Sequence, residues 1–265
     1  FFSVIKSEVN YAEQLPLIMA GFVTTFVLFF GAELYAKMLI KDVRDKGVFV
    51  QGVFRSNMAI ISLSVATNAY GAVGMSVGAV YMGILTILYN ILSVITLSRT
   101  QENKNLSAQS IDIIKKIFTN PLIIALVSAF AYKAINLPLP PQPITKTGEL
   151  LSNIALPLAL ICAGATLDIK SMLGLSGVSM QASIGRIIIA PLLAVLVGVV
   201  FALPPVQFGV LFVMVASPAA AASYVMAKAM GGNDVLAANI LAFTTVVSMI
   251  GMAVGMAWLR VLGWV

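Results

Sequence analysis

The chain has 265 residues, of which 60% are hydrophobic and 10% charged, with a mean hydropathy of +1.01 and a net charge of +6. A soluble domain carries about 25% charge, so this composition argues against a water-soluble fold, and long continuous apolar runs argue against a membrane β-barrel. With no histidine and one cysteine, Cys162, the chain has no internal disulfide, no Cys/His zinc site and no histidine-based catalytic pair.

Eight apolar spans follow in chain order, at 16–39, 50–70, 73–97, 120–137, 150–167, 178–202, 206–229 and 234–259. The fold class is therefore an all-α polytopic membrane protein. The connectors are short and polar or rich in proline, as in Leu137 to Pro143. Eight spans alternate sides, which sorts the basic residues into two sets. One set of eleven comprises Lys37, Lys41, Arg44, Lys46, Arg55, Arg99, Lys104, Lys115, Lys116, Lys170 and Lys228. The other holds only Lys6, Lys133, Lys146 and Arg260. The richer set is expected on the cytoplasmic side, with both chain ends outside and 98–119 as the longest cytoplasmic loop.

Within the seventh span lies Ala216-Ser217-Pro218-Ala219-Ala220-Ala221-Ala222-Ser223-Tyr224. Proline removes a backbone donor and clashes with the preceding turn, so the helix is expected to break or kink there. Broken backbone at membrane depth survives only where protein or water covers it, and carriers often bind substrate at such breaks.

A shift of 160 residues lays 50–70 on 210–230 and 73–97 on 233–257, with identities at Val53/Val213, Val65/Val225, Ala69/Ala229 and Gly71/Gly231. The shift is five spans long, so the second unit is inverted relative to the first. The expected organisation is 1–97 as the remainder of a first repeat, 98–119 as a linker and 120–265 as a second repeat. On this reading the first repeat lacks two helices, on the order of 40 residues, at its N-terminus. A natural eight-span chain with a coincidental offset is the competing reading.

Three segments carry a family resemblance: Phe54-Arg55-Ser56-Asn57 through Ser64 and Ala69-Tyr70-Gly71; Asn153 through Leu160 and Ala163 through Asp168; and Ala216-Ser217-Pro218 through Ala227 and Met230-Gly231-Gly232. Together they resemble the auxin efflux carrier family, in its bacterial type. The resemblance implies ten helices in two inverted five-helix repeats, about eight of them present here. It also implies two broken helices that cross near the membrane centre, and transport of organic anions such as auxin, malonate or malate. One departure is Ser62-Leu63-Ser64, where the family usually has Gly-Leu-Pro. A less sharp first break is expected from it, loosened by serine bonds to carbonyls one turn back.

The candidate substrate-binding residues are Asn57, Ser62, Ser64, Ser217, Pro218 and Ser223. The Asn57 carboxamide suits a carboxylate, and the resemblance implies a substrate-contacting asparagine there. Residues with a pathway or charge role are Asn153, Pro157, Arg186, Asp168 and Glu33. Pro157 is expected to break its span. Arg186 lies inside a span, where a cation usually pairs or binds something. It has three readings: attraction of an anion, snorkelling, or pairing with Asp168. Glu33 and Lys37 share a helix face at i,i+4 spacing, and Glu33 is also the candidate for carrying a proton. Gly74/Gly78 and Gly251/Gly255 are small-residue pairs for close helix packing.

The function expected is secondary transport of small organic anions by alternating access, in the bacterial inner membrane. The competing readings are a sodium-coupled bile-acid-type symporter and a non-transporting membrane scaffold. An intramembrane protease would need paired aspartates within the spans, and no enzyme activity is expected. No metal or cofactor is implied. The expected partners are the lipid bilayer and a small organic anion, with a homodimer left open and no nucleic acid.

Overall fold

The computed structural model describes residues 12–98, 121–135, 137–165 and 177–265. The described backbone is mostly helical, with no strand among the described residues and one isolated β-bridge between Ser56 and Ala219. Its helices are α1 Leu15–Leu39, α2 Val43–Phe54, α3 Met58–Ser98, α4 Pro121–Ala134, α5 Gln142–Ala165, α6 Gly177–Val200, α7 Pro205–Ala216, α8 Ala221–Ala229 and α9 Asp234–Val261.

Among the described residues, four helices, α1, α3, α6 and α9, are long and apolar enough to cross a bilayer. Two more of the eight expected spans are each built from two helical pieces, and α4 and α5 lie on the expected spans 120–137 and 150–167. The span placed at 50–70 is α2 followed by the first arm of α3, and it begins at Val43, well before residue 50. The span placed at 206–229 is α7 followed by α8. Each of α2 and α7 has 12 residues. At 1.5 Å per residue each is about 18 Å long, roughly half a bilayer core of ~30 Å.

The order long helix, broken helix, long helix thus occurs twice, as α1, α2/α3 and the later arm of α3, then as α6, α7/α8 and α9. Gly71 and Gly231 end the second half of each broken helix with φ of +61° and +78°. Left-handed backbone of this kind costs a side-chain-bearing residue about 1–2 kcal/mol, so glycine is the residue that turns the chain at both places.

The first halves form the core. All of α7 from Gln207 to Ala216 and all of α2 from Gly47 to Phe54 are buried. The outer helices expose large apolar side chains, among them Phe30, Leu34, Leu192, Val200 and Val254. Apolar surface turned outward around a buried apolar centre suits lipid rather than water as solvent. Close approach relies on small residues. A Cβ on Gly78 would meet Met214, and one on Gly255 would meet Phe212, both side chains of α7. Gly251 faces open space and is not part of such a contact.

Two expectations are corrected here. Helix α5 runs unbroken through Pro157 and starts at Gln142 rather than residue 150. Arg55 is not a cytoplasmic loop cation: it is 5% exposed and follows the last residue of α2. Removing it reduces the richer basic set by one and leaves the asymmetry in place. Asp168, the loop from residue 99 to 119 and residues 1–11 lie outside the described residues.

Candidate functional site: the meeting of the two helix breaks

The second break has the predicted cause. Pro218 ends α7, and Ser217 to Ala220 stay extended until α8 starts at Ala221. The first break lies at Arg55, Ser56 and Asn57, upstream of Ser62-Leu63-Ser64. It leaves the helix as fully as the second, so the expectation of a weaker break does not hold. Immediately after it, Met58–Ser62 forms a widened π-turn. There Ser62 Oγ donates to the Asn57 carbonyl at 3.2 Å and Ser64 Oγ donates to the Ile60 carbonyl at 2.6 Å. Both serines therefore bond backward along their own helix.

The two breaks meet. The Asn57 N–H donates to the Pro218 carbonyl at 2.8 Å, and the Ala220 N–H donates to the Arg55 carbonyl at 3.0 Å. These bonds make an antiparallel bridge between Ser56 and Ala219, which satisfies backbone groups that no helix serves. The Ala219 N–H is satisfied in turn by Thr244 Oγ1 of α9 at 3.1 Å.

On one side of this bridge stands Arg186, with no exposed surface. Its guanidinium donates to the Val53 carbonyl at 2.9 Å and also to the Val215 carbonyl. These carbonyls belong to the last turns of α2 and α7, where the helix dipoles place partial negative charge. Arg186 therefore caps both first halves at once. It neither snorkels nor reaches the cavity described below.

On the other side is a cavity of about 410 Å³. Arg55, Ser56 and Asn57 of the first break line it, with Met58 and Ala59 after them. Ala220, Ala221 and Ala222 line it from the second break, and Tyr89 and Asn90 from the later arm of α3. Helix N-termini carry unpaired N–H groups and partial positive charge, and both second halves begin at this cavity. Arg55 donates to Ser93 Oγ at 2.8 Å and to Asn90 Oδ1 at 2.7 Å, and Met226 Sδ lies against it. Asn57 caps its helix through Oδ1, which accepts from the Ile60 N–H at 3.4 Å. Among the described residues no aspartate or glutamate lines the cavity.

Of the residues singled out in the sequence, Asn57 lines this cavity. Pro218 supplies a carbonyl to the bridge. Ser217 is fully buried, with its hydroxyl toward the Met214 carbonyl of its own helix at 3.4 Å. Ser223 borders a separate void of about 10 Å³, and its hydroxyl has no partner there. Glu33 accepts a hydrogen bond from Thr96 of α3, away from the cavity. Asn153 and Pro157 lie on α5. Among the described residues no group of three or more His, Cys, Asp or Glu side chains could hold a metal.

Arg55, Tyr89, Asn90, Ser93 and Met226 escaped the sequence reading. A signal was present for two of them, since Arg55 directly precedes the Ser56-Asn57 pair and Asn90 is a carboxamide inside an apolar run.

Residues 1–256 match the family model described as membrane transport protein. The chain belongs to the auxin efflux carrier family. A search of curated proteins gives no match. Membership makes this chain a membrane transporter. The crossing breaks of this auxin efflux carrier family member thus stand in a protein whose task is to move a solute across a bilayer.

Proposed function

We propose that the chain is a secondary carrier of small organic anions, with the anion held in the cavity where the two breaks meet. The observation that carries this reading is Arg55, a cation 5% exposed, lining a cavity whose wall, among the described residues, holds no carboxylate. A cation at membrane depth is costly and marks a functional site by default. The starts of α3 and α8 add partial positive charge from two directions, and the carboxamide of Asn57 offers a neutral donor. Dicarboxylates such as malonate and malate, and aromatic acids of the auxin type, are the substrates to try.

Transport proceeds by alternating access, as the paired broken helices of carriers suggest. The antiparallel meeting of the breaks has the relative direction that inverted repeats require. Richer positive charge on the loops at one side supports that side as the cytoplasmic one. Uptake of labelled malonate, malate and indole-3-acetate into proteoliposomes tests the proposal. Wild-type protein is expected to carry at least one of them, Arg55→Gln to reduce that flux tenfold or more, and Asn57→Ala to reduce it several-fold. Arg55→Gln protein that transports at the wild-type rate would remove the proposed site. A sodium gradient that leaves the rate unchanged separates this carrier from a sodium-coupled symporter.

A further inference from the structure

Among the described residues Arg55 has no carboxylate partner. Its side-chain partners are Asn90 Oδ1, Ser93 Oγ and Met226 Sδ, and all three are neutral. Asn90 and Ser93 are three residues apart on α3, so one helix face presents both to the guanidinium. Buried arginines normally meet a carboxylate. Here a carboxamide occupies that place. Carboxamide and carboxylate share a shape and differ by one charge.

We infer that Asn90 sets the charge selectivity of the cavity, because its neutrality leaves the whole positive charge of Arg55 available to an incoming anion. The inference rests on the reading of Arg55 given above and adds the residue that keeps that cation unneutralised. Asn90 is a positioning residue, since it acts through Arg55. A carboxylate at position 90 would lie within hydrogen-bond reach of the guanidinium and form the stronger, charge-assisted pair. The anion would then meet a site that already contains its own negative charge.

The test uses the full chain with Cys162→Ser, so that Ala221→Cys supplies the single thiol. Ala221 is exposed and lines the cavity. The rates of modification by an anionic and a cationic methanethiosulfonate of similar size are compared. The anionic reagent is expected to react faster per unit of its intrinsic reactivity. Asn90→Asp should lower the anionic-to-cationic rate ratio tenfold or more, and Asn90→Ala should leave it within about twofold. Ser93→Asp, which brings a carboxylate to the same guanidinium, should repeat the Asn90→Asp result and serves if that variant does not fold. A packing defect alone would change both rates together and leave their ratio in place.

A ratio unchanged by the carboxylate variants overturns the inference. If Arg55→Gln also leaves the ratio unchanged, or if the thiol reacts with neither reagent, the reading of the cavity fails as well. If Arg55→Gln abolishes the preference while both carboxylate variants retain it, the cavity stands and the role of Asn90 does not.

Discussion

The backbone N–H of Asn57 donates to the carbonyl of Pro218 at 2.8 Å, across 161 residues of chain. This bond and its partner from Ala220 to Arg55 hold two helix breaks side by side. Neither break has helical hydrogen bonds for these groups, so each supplies what the other lacks.

Ala220→Pro tests that mutual dependence. Ala220 has φ −71° and ψ 136°, a conformation proline adopts without strain. The substitution therefore deletes the donor to the Arg55 carbonyl without demanding a new backbone angle at that residue. The buried carbonyl left behind should cost about 1–3 kcal/mol. Thermal unfolding in detergent is expected to shift downward, and anion flux to fall with it.

Arg186→Met removes the cap shared by α2 and α7. Two buried carbonyls lose a charged donor, and hydrogen bonds to charged groups contribute about 1.5–3 kcal/mol each. A loss of about 3 kcal/mol or more is expected. Arg186→Lys should recover part of it, since one ammonium can still point at these carbonyls but lacks the planar fork. Equal unfolding temperatures for wild type and Arg186→Met would contradict the double cap.

Glycines of the two broken helices should separate by cause. A Cβ on Gly209 would lie 1.8 Å from the Tyr70 hydroxyl, whereas one on Gly71 meets nothing within 4 Å. Gly71→Ala should cost about 1–2 kcal/mol through its backbone angle alone. Gly209→Ala should cost more, and Tyr70→Phe should restore only part, because the ring carbon Cζ is itself 2.6 Å from the same point. A double-mutant cycle measures that coupling.

Much of this fold was legible in the sequence because lipid imposes long apolar runs, and α1, α6 and α9 begin and end close to where hydropathy places them. Pro218 announced its break through its missing N–H. The first break carries no proline, so although Asn57 stood out as a carboxamide, the interruption of the helix from Arg55 to Asn57 left no mark in the sequence, and Ser62 and Ser64 a few residues later were the expected place for it. The start of α2 at Val43 was hidden for a related reason. The segment 43–47 holds Arg44, Asp45 and Lys46 and reads as a loop, yet Asp42 caps it through the Arg44 N–H at 2.8 Å. Without that start, Arg55 looks like a surface cation rather than one at the far end of a helix about 18 Å long. Asn90 and Ser93 became visible only through the fold, because their relation to Arg55 spans more than 30 residues of chain. Arg186 was noticed as a buried cation, but its partners are backbone carbonyls, which leave no mark in a sequence.

The start of α2 and the end of α8 meet, and on the proposed orientation both face the cytoplasm and should label together. The Asn233 N–H donates to the Arg44 carbonyl at 3.1 Å, and Asn233 Nδ2 donates to Asp45 Oδ1 at 2.8 Å. Single cysteines at Lys46 and Lys228, in a Cys162→Ser background, are expected to react with an impermeant reagent only from the cytoplasmic side. Labelling of the two positions from opposite sides would contradict the arrangement.

The central claim, an organic anion seated where the breaks meet, is tested most directly by protection of a thiol at Ala221 in the Cys162→Ser background. Malonate, malate or indole-3-acetate is expected to slow modification of Ala221→Cys in a saturable way, while Met38→Cys, 72% exposed on the far end of α1, reacts at an unchanged rate. Equal rates at Ala221→Cys with and without every one of these anions would contradict the account.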